Sequence, residues 1–254
     1  MEKLFIQNRE GLKMSVVIDE DRNQKGLVFL MHGFLGFKEQ PLLLEVAKIF
    51  RQNNFTTVSF DTINSLGESD GKMEDGTMSG YFENLEDVIN WAKSHKFYQE
   101  QFFLVGHSLG GYCVANYAAK NKNVKNLILL CPVISGELFQ QTNDIKEILE
   151  EWKETGVRVW NSRSNPGVIK KSSYRFIEDG RNHDLLKTAQ NIKCSVLMIG
   201  GDIDEVIPLE HQKLLFDKIE SRKEMHIIKN GDHNLESREN LEELSNIINN
   251  WIKS

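Results

Sequence analysis

Phe102-Phe-Leu-Val105-Gly-His-Ser108-Leu-Gly-Gly111-Tyr-Cys-Val-Ala115 is the stretch that decides the fold. Residues 102–105 are apolar throughout, as in a short strand buried on both faces. Residues 111–120 carry a helical pattern. Between them lies G-x-S-x-G, in the strand–turn–helix context this motif requires. Its logic is steric. A serine held in a strained turn at a strand's end projects its hydroxyl into a cleft. Side chains two positions before or after would collide, so Gly106 and Gly110 fit there. Such strain costs about 1–3 kcal/mol and persists only where the surroundings enforce it. A Gly-rich turn merely capped by Ser108 is the plainer alternative. The coincidence of strand, motif and helix favours a nucleophile.

The flanking chain repeats this rhythm. Residues 27–31, 56–60, 127–130, 196–199 and 225–228 are further nearly continuous apolar runs. Helix-period segments cover 41–52, 81–94, 209–219 and 238–252. Strand–helix–strand repetition predicts right-handed crossovers and a three-layer α/β sandwich. Residues 3–8 and 13–19, with a turn at Glu10-Gly11, are interrupted by polar residues and suit an antiparallel edge pair. The expectation is therefore a mostly parallel, eight-stranded sheet with helices on both faces.

One connection is too long. Residues 134–191 number about 58, where a crossover needs on the order of a dozen or more. Within it a helix is expected at 144–154, with Thr142 or Asn143 as N-cap and Gly156 as its stop. A hairpin of 157–163 and 168–177 around Asn165-Pro-Gly should follow, then a second helix before Cys194. This insertion is too small for its own core and should pack on the sheet's loop end as a lid, leaving 1–254 as one domain. Its aromatics are Phe139, Trp152, Trp160, Tyr174 and Phe176. Some must hold it to the body, and the others are candidates to line an apolar pocket. Trp160 and Tyr174 are the substrate-binding candidates. The charged stretch 146–154 reads as a solvated helix face, and Lys170-Lys171 alone is too little to imply phosphate binding. The polar, Gly-rich residues 64–80 form either a mobile surface loop or a rim of the cleft.

A serine hydroxyl needs a base within hydrogen-bond reach, and the base needs an orienting acid. With the nucleophile at such a strand end, the chain order is serine, acid, histidine. Of His183, His211, His226 and His233, only His233 sits in a loop just after a buried strand, at the edge where Ser108 lies. The acid belongs after 196–199, in Gly200-Gly-Asp202-Ile-Asp204-Glu205-Val-Ile-Pro208. Asp204, pinned by the apolar residues after it, is preferred. Asp202 is the alternative, and Glu205 faces solvent. The oxyanion needs backbone N–H donors. Leu109, after the nucleophile, and Phe34, in His32-Gly33-Phe34-Leu35-Gly36, are assigned. Gly33 lets that backbone approach, and His32 braces the loop by hydrogen bonds.

These residues together resemble the α/β-hydrolase superfamily over essentially the whole chain. The resemblance rests on His32-Gly33-Phe34, Gly106–Gly111, Asp204-Glu-Val-Ile-Pro and Gly231-Asp-His233. Phe60-Asp61, Gly67-Glu-Ser-Asp-Gly71 and Glu86-Asp87 are further similar to the lid-bearing feruloyl/cinnamoyl esterases. Two departures stand out: Ser65-Leu66-Gly67, where relatives often have Gly-His-Gly, and Leu109, where they often have Gln. The resemblance implies a serine carboxylic-ester hydrolase. A thioesterase, a peptidase-type acyl hydrolase and a C–C bond hydrolase are rival enzymes. A ligand-binding protein that keeps the fold but turns over little is the rival from another class. Serine at the elbow disfavours an aspartate-nucleophile dehalogenase or epoxide hydrolase.

Composition narrows the partners. The 254 residues are 40% hydrophobic and 27% charged, with a formal charge of −6 and a pI near 5.7. That argues against disorder and against a broad nucleic-acid surface. No apolar run is long enough for a bilayer and no secretory leader is evident, so a cytoplasmic protein without membrane insertion is expected. Cys113, Cys131 and Cys194 lack metal or disulfide spacing and read as free thiols, with Cys131 and Cys194 expected to be buried. No metal and no cofactor is implied. The expected partner is a small-molecule ester, and a homodimer is compatible with the sequence.

Overall fold

The computed structural model describes residues 1–162 and 167–254. The sheet has eight strands in the order β1-β2-β4-β3-β5-β6-β9-β10. These are β1 (Glu2–Gln7), β2 (Lys13–Asp19), β3 (Gly26–Met31), β4 (Phe55–Phe60), β5 (Phe102–His107), β6 (Val124–Leu130), β9 (Ser195–Gly201) and β10 (Lys223–Ile228). A separate hairpin in the inserted segment supplies β7 (Val157–Asn161) and β8 (Ile169–Ser173). Strands β1, β2 and β4 pair antiparallel, and all other neighbours in the main sheet pair parallel. This is the expected α/β-hydrolase fold.

Strand alternation builds two cores at once. Along β3, Leu27, Phe29 and Met31 enter one apolar cluster, while Val28 and Leu30 enter the other. The second cluster is closed by Leu42, Val46 and Phe50 of α1 (Pro41–Gln52) and by Leu244, Ile248 and Trp251 of α9 (Arg238–Lys253). The first is covered by α2 (Met78–Ala92) and α3 (Leu109–Lys120), with Leu215 of α8 (Leu209–Lys218). Continuous apolar runs were legible as strands for this reason: each successive side chain has a core to enter. Helix α2 starts three residues earlier than its periodicity suggests. Thr77 accepts a hydrogen bond from the Gly80 N–H, and that cap carries the helix through Ser79-Gly80.

The inserted segment 134–191 lies between β6 and β9 but differs in detail from expectation. Its helical part comprises α4 (Gly136–Gln140), α5 (Asn143–Lys146) and α6 (Leu149–Thr155), not one helix over 144–154. At the break, the Ile148 N–H turns back to Ile145 O, a tighter bond than the α-helical one. Thr142 is the N-cap residue of α5, and Gly156 ends α6 at φ 74°. The hairpin forms, but its second arm stops at Ser173, where the chain turns into α7 (Arg175–Gly180). The expected turn at Asn165-Pro-Gly falls largely on residues 163–166, outside those described. Two short 3₁₀ turns, Leu185–Lys187 and Ala189–Asn191, stand where a second helix was expected. Asp184 caps the first by accepting from the Leu186 N–H.

Of residues 64–80, 64–76 are tied down by hydrogen bonds and are not a free loop, while Met78 lines the cavity beside Ser108. Asp70 exchanges bonds with the Lys13 backbone, Ser69 bridges Ser15 N–H to Asp61 O, and Asn64 accepts from Lys72 N–H. At the centre is a buried ion pair. Lys38 Nζ lies 2.6 Å from Asp61, with side-chain exposures of 1% and 0%. Asp61 also accepts from the backbone N–H groups of Lys38 and Glu68. It therefore ties the loop after β3 to the loop after β4. Lys38→Met leaves a buried carboxylate uncompensated and is expected to cost about 3–5 kcal/mol. A urea titration showing a loss below about 1 kcal/mol would remove this pair from the account of stability.

Candidate active site

Ser108 sits between β5 and α3 at φ 54°, ψ −118°, a conformation an L-residue avoids. Three backbone bonds enforce it. Ser108 N–H donates to Leu130 O, and Ser108 O accepts from the N–H groups of Tyr112 and Val133. The glycines are required by contact. A Cβ on Gly106 would come within 2.3 Å of Gly110 O, and one on Gly110 within 2.5 Å of Met31 O and His32 O. The Ser108 hydroxyl makes no capping bond to the helix it precedes. The capped-turn alternative therefore has no bond to support it.

That hydroxyl instead meets His233. Ser108 Oγ lies 2.9 Å from Nε2, and Nδ1 lies 2.9 and 3.1 Å from the two oxygens of Asp204. Asp204 Oδ1 also accepts from the backbone N–H groups of Val206 and Ile207, which fixes its loop. Burial pushes the Asp204 carboxyl upward, but the bonds from His233 and these amides prevail and hold it below the usual carboxylate value. The structure thus brings Ser108, His233 and Asp204 together. Asp202 is exposed and outside the chain of bonds. Glu205 is exposed at the rim.

The supports are less visible in sequence. His107, within the G-x-S-x-G motif, donates from Nε2 to His233 O at 2.8 Å, and the two rings lie 4.9 Å apart. Burial and the neighbouring His233 pull its pKa down to about 3, so it stays neutral and acts as a fixed donor. Asp232 holds the same loop by accepting from the N–H groups of Asn234 and Leu235. His32 braces the other side. Its Nδ1 bonds Gly33 O at 2.7 Å, and its Nε2 accepts from Thr62 N–H at 3.1 Å. Burial holds it below the ordinary histidine value. Tyr81 takes the Leu35 N–H on its hydroxyl. Among the described residues, no hydrogen bond occupies the N–H of Phe34 or of Leu109.

A cavity of about 700 Å³ opens beside Ser108 and His233. Phe34, Phe139, Ile145, Trp152, Trp160 and Phe176 line it. Phe34 stacks on Phe176 at 3.9 Å, joining the loop after β3 to the insertion. Tyr174 is not among the lining residues. It lies where β8 turns into α7, with its ring edge-on to Trp152 and its hydroxyl accepting from Arg181. It braces the insertion, which corrects its expected place beside substrate.

His183 also has a structural setting, bonding Ser79 Oγ and Tyr112 Oη at 2.9 Å each. His211 lies on α8, and His226 lies on edge strand β10. Cys131 Sγ, an Asp204 oxygen and a His233 nitrogen lie within 4.8 Å of one another, a spacing a metal could bridge. Both ring nitrogens of His233 are already engaged, so the donor set fits poorly. Cys113 and Cys131 are buried and Cys194 is partly exposed, all as free thiols.

The family model Hydrolase_4, described as serine aminopeptidase, S33, matches residues 22–173, more than half the chain. The chain belongs to this S33 family. It is a serine-hydrolase-type α/β-hydrolase that resembles feruloyl esterase-like enzymes. The bovine palmitoyl-protein thioesterase ABHD10, named as mitochondrial, is 23% identical over 89% of this chain and 72% of its own. An uncharacterized 31.7 kDa protein from Escherichia coli is 26% identical over 84% of each. Among solved structures, Est1E from Butyrivibrio proteoclasticus with ferulic acid bound superposes with a TM-score of 0.82 at 22% identity, covering 98% of this chain and 97% of its own. Mouse ABHD10 also gives 0.82, at 21% identity, covering 100% and 99%. At that identity the structural likeness concerns the S33 fold, not its substrate. No helix among the described residues is long and apolar enough to cross a membrane.

The geometry separates the two aspartates. Asp204→Asn is expected to misorient His233 or place it in the wrong tautomer, lowering kcat by about 10⁴ by analogy with serine proteases. Asp202→Asn should change it little. Steady-state kinetics on an activated ester with both variants checks this, and the reverse ranking would move the role to Asp202.

Proposed function

We propose that this S33-family chain is a serine hydrolase of carboxylic esters with acyl or aryl groups. The observation that carries the proposal is the unbroken chain Ser108–His233–Asp204 at the mouth of an aromatic-lined cavity. In this reading Ser108 Oγ adds to the ester carbonyl while His233 Nε2 takes the hydroxyl proton. The Asp204 carboxylate holds the imidazole in the reactive tautomer and stabilises its cation. The amides of Phe34 and Leu109 donate to the oxyanion. Collapse of the intermediate expels the alcohol, which takes the proton from His233. A water then gives a proton to His233 and attacks the acyl-enzyme, and as the acid leaves His233 returns that proton to Ser108 Oγ, restoring both residues. None of these steps calls on a cofactor.

The aromatic lining supports an acyl or aryl ester, as does ferulic acid in Est1E. The second reading is a thioester, favoured by the ABHD10 relatives named as palmitoyl-protein thioesterases. The same acyl-enzyme serves both, since only the leaving atom differs. The insertion covers the cavity as a lid in either reading, with Trp160 as a substrate contact.

Ser108→Ala is expected to fold and to lose roughly 10⁶ in kcat. A fluorophosphonate should label Ser108 in the native chain, with the adduct located by mass spectrometry. A folded Ser108→Ala variant that kept substantial turnover would overturn the assignment, and an unlabelled native serine would favour the ligand-binding alternative. Matched cinnamoyl esters, acyl thioesters and aminoacyl amides, compared by kcat/KM, rank the readings.

A further inference from the structure

The β7–β8 hairpin is built inside out. Strand alternation puts successive residues on opposite faces, and an apolar face normally turns inward. Here Val159 and Ile169 are 55% and 54% exposed, and Val157 is also exposed. Arg158, Trp160 and Lys170 instead line the cavity that opens on Ser108. Trp160 and Lys170 are direct cross-strand partners, and Trp152 Nε1 donates to Ser172 O, anchoring the hairpin in this orientation.

The two inward cations differ. The Arg158 guanidinium lies 4.7 Å over the Trp160 ring and has a further partner. Lys170 has no carboxylate within ion-pair distance among the described residues. The acids that line the cavity with Lys170 are Asp144, Glu205 and Asp232. Asp232 holds the His233 loop, Asp144 is already engaged, and Glu205 is exposed to solvent. Glu236, three residues after His233, acts on Lys170 only at longer range. Burial pulls the Lys170 ammonium down to about 8, with Glu236 opposing. A shielded cation of this kind gains most from an anion that arrives with the ligand.

We propose that Lys170 is a specificity residue that binds a carboxylate carried by the substrate at a distance from its scissile carbonyl. The proposal rests on the ester-hydrolase reading and adds a charge to the substrate class. The carboxylate could belong to the acyl or to the alcohol portion, and the chemistry at Lys170 is the same.

The test compares charged and neutral pairs. On the acyl side these are the 4-nitrophenyl monoester of adipic acid and 4-nitrophenyl hexanoate. On the alcohol side they are 4-acetoxybenzoate and phenyl acetate. The native protein is expected to favour the charged member of one pair by about tenfold or more in kcat/KM, the scale of one charge-assisted hydrogen bond. Lys170→Met should abolish that preference and leave the neutral rate intact, while Lys170→Arg should keep it. The preference should also fade as pH rises through about 8, where Lys170 loses its proton. The titratable groups around Lys170 in that experiment are Arg158 on its own hairpin and Asp144, Glu205, Asp232 and His233, which line the same cavity, with Glu236 and His32 coupled to it electrostatically.

Binding keeps the test independent of turnover. In Ser108→Ala, isothermal titration calorimetry with both pairs reads affinity even if no ester is hydrolysed. Absence of turnover in the native chain would sink the ester-hydrolase reading, and the binding preference would still report on Lys170. No preference in either pair, by rate or by binding, overturns the proposal. So does a preference that survives in Lys170→Met. An equal loss for charged and neutral members in that variant would make Lys170 a mere brace of the hairpin.

Discussion

Everything at this site depends on the backbone strain at Ser108. Its positive φ is unfavourable for any residue with a side chain, and it aims the hydroxyl away from α3 and into the cleft. The cost, about 1–3 kcal/mol, is borne by the sheet. The neighbouring strand β6 supplies Leu130 O, and the turn after it supplies the Val133 N–H. Two glycines remove the atoms that would otherwise prevent closure. Such strain persists only when both apolar cores are in place, because they fix the strands from which these bonds come.

Around the strained turn, the loops are held by polar groups. Lys38 and Asp61 join two loops through a buried ion pair, Tyr81 and His32 hold the loop after β3, and His107 and Asp232 hold the His233 loop. Loops at a strand's end cannot bury a continuous apolar face. Their geometry has to come from directed bonds to buried donors and acceptors. The Ser108–His233–Asp204 distances near 2.9 Å are the outcome of this scaffolding.

The inserted segment follows a different rule. It packs by aromatic contact, with Phe34 on Phe176 and Trp152 beside Tyr174, and it turns polar residues of a hairpin toward the cavity. Period-two alternation in β7 and β8 says which residues share a face, but not which face is inside. Contacts from outside the hairpin decide that, among them the bond from Trp152 on α6 to Ser172 O.

The amino-acid sequence by itself determined the sheet, its layers and the three interacting residues. Buried parallel strands must be apolar on both faces, and a serine elbow needs small neighbours at fixed offsets. The acid and the base then have to lie after the two strands that end beside it. Asp204 was separable from Asp202 on local grounds, because Val206 and Ile207 follow it, and their amides do bond it. What remained illegible depends on contacts between residues far apart in the chain. Tyr174 and Trp160 are both aromatic residues of the same hairpin region, yet one braces Trp152 and the other lines the cavity. His107 looked like the variable position of a motif, and its bond to His233 O spans 126 residues. Local pattern records which side chains share a face and which turns are sterically allowed. Only the tertiary structure decides what those faces and turns meet, because burial and hydrogen-bond partners are properties of the assembled cores.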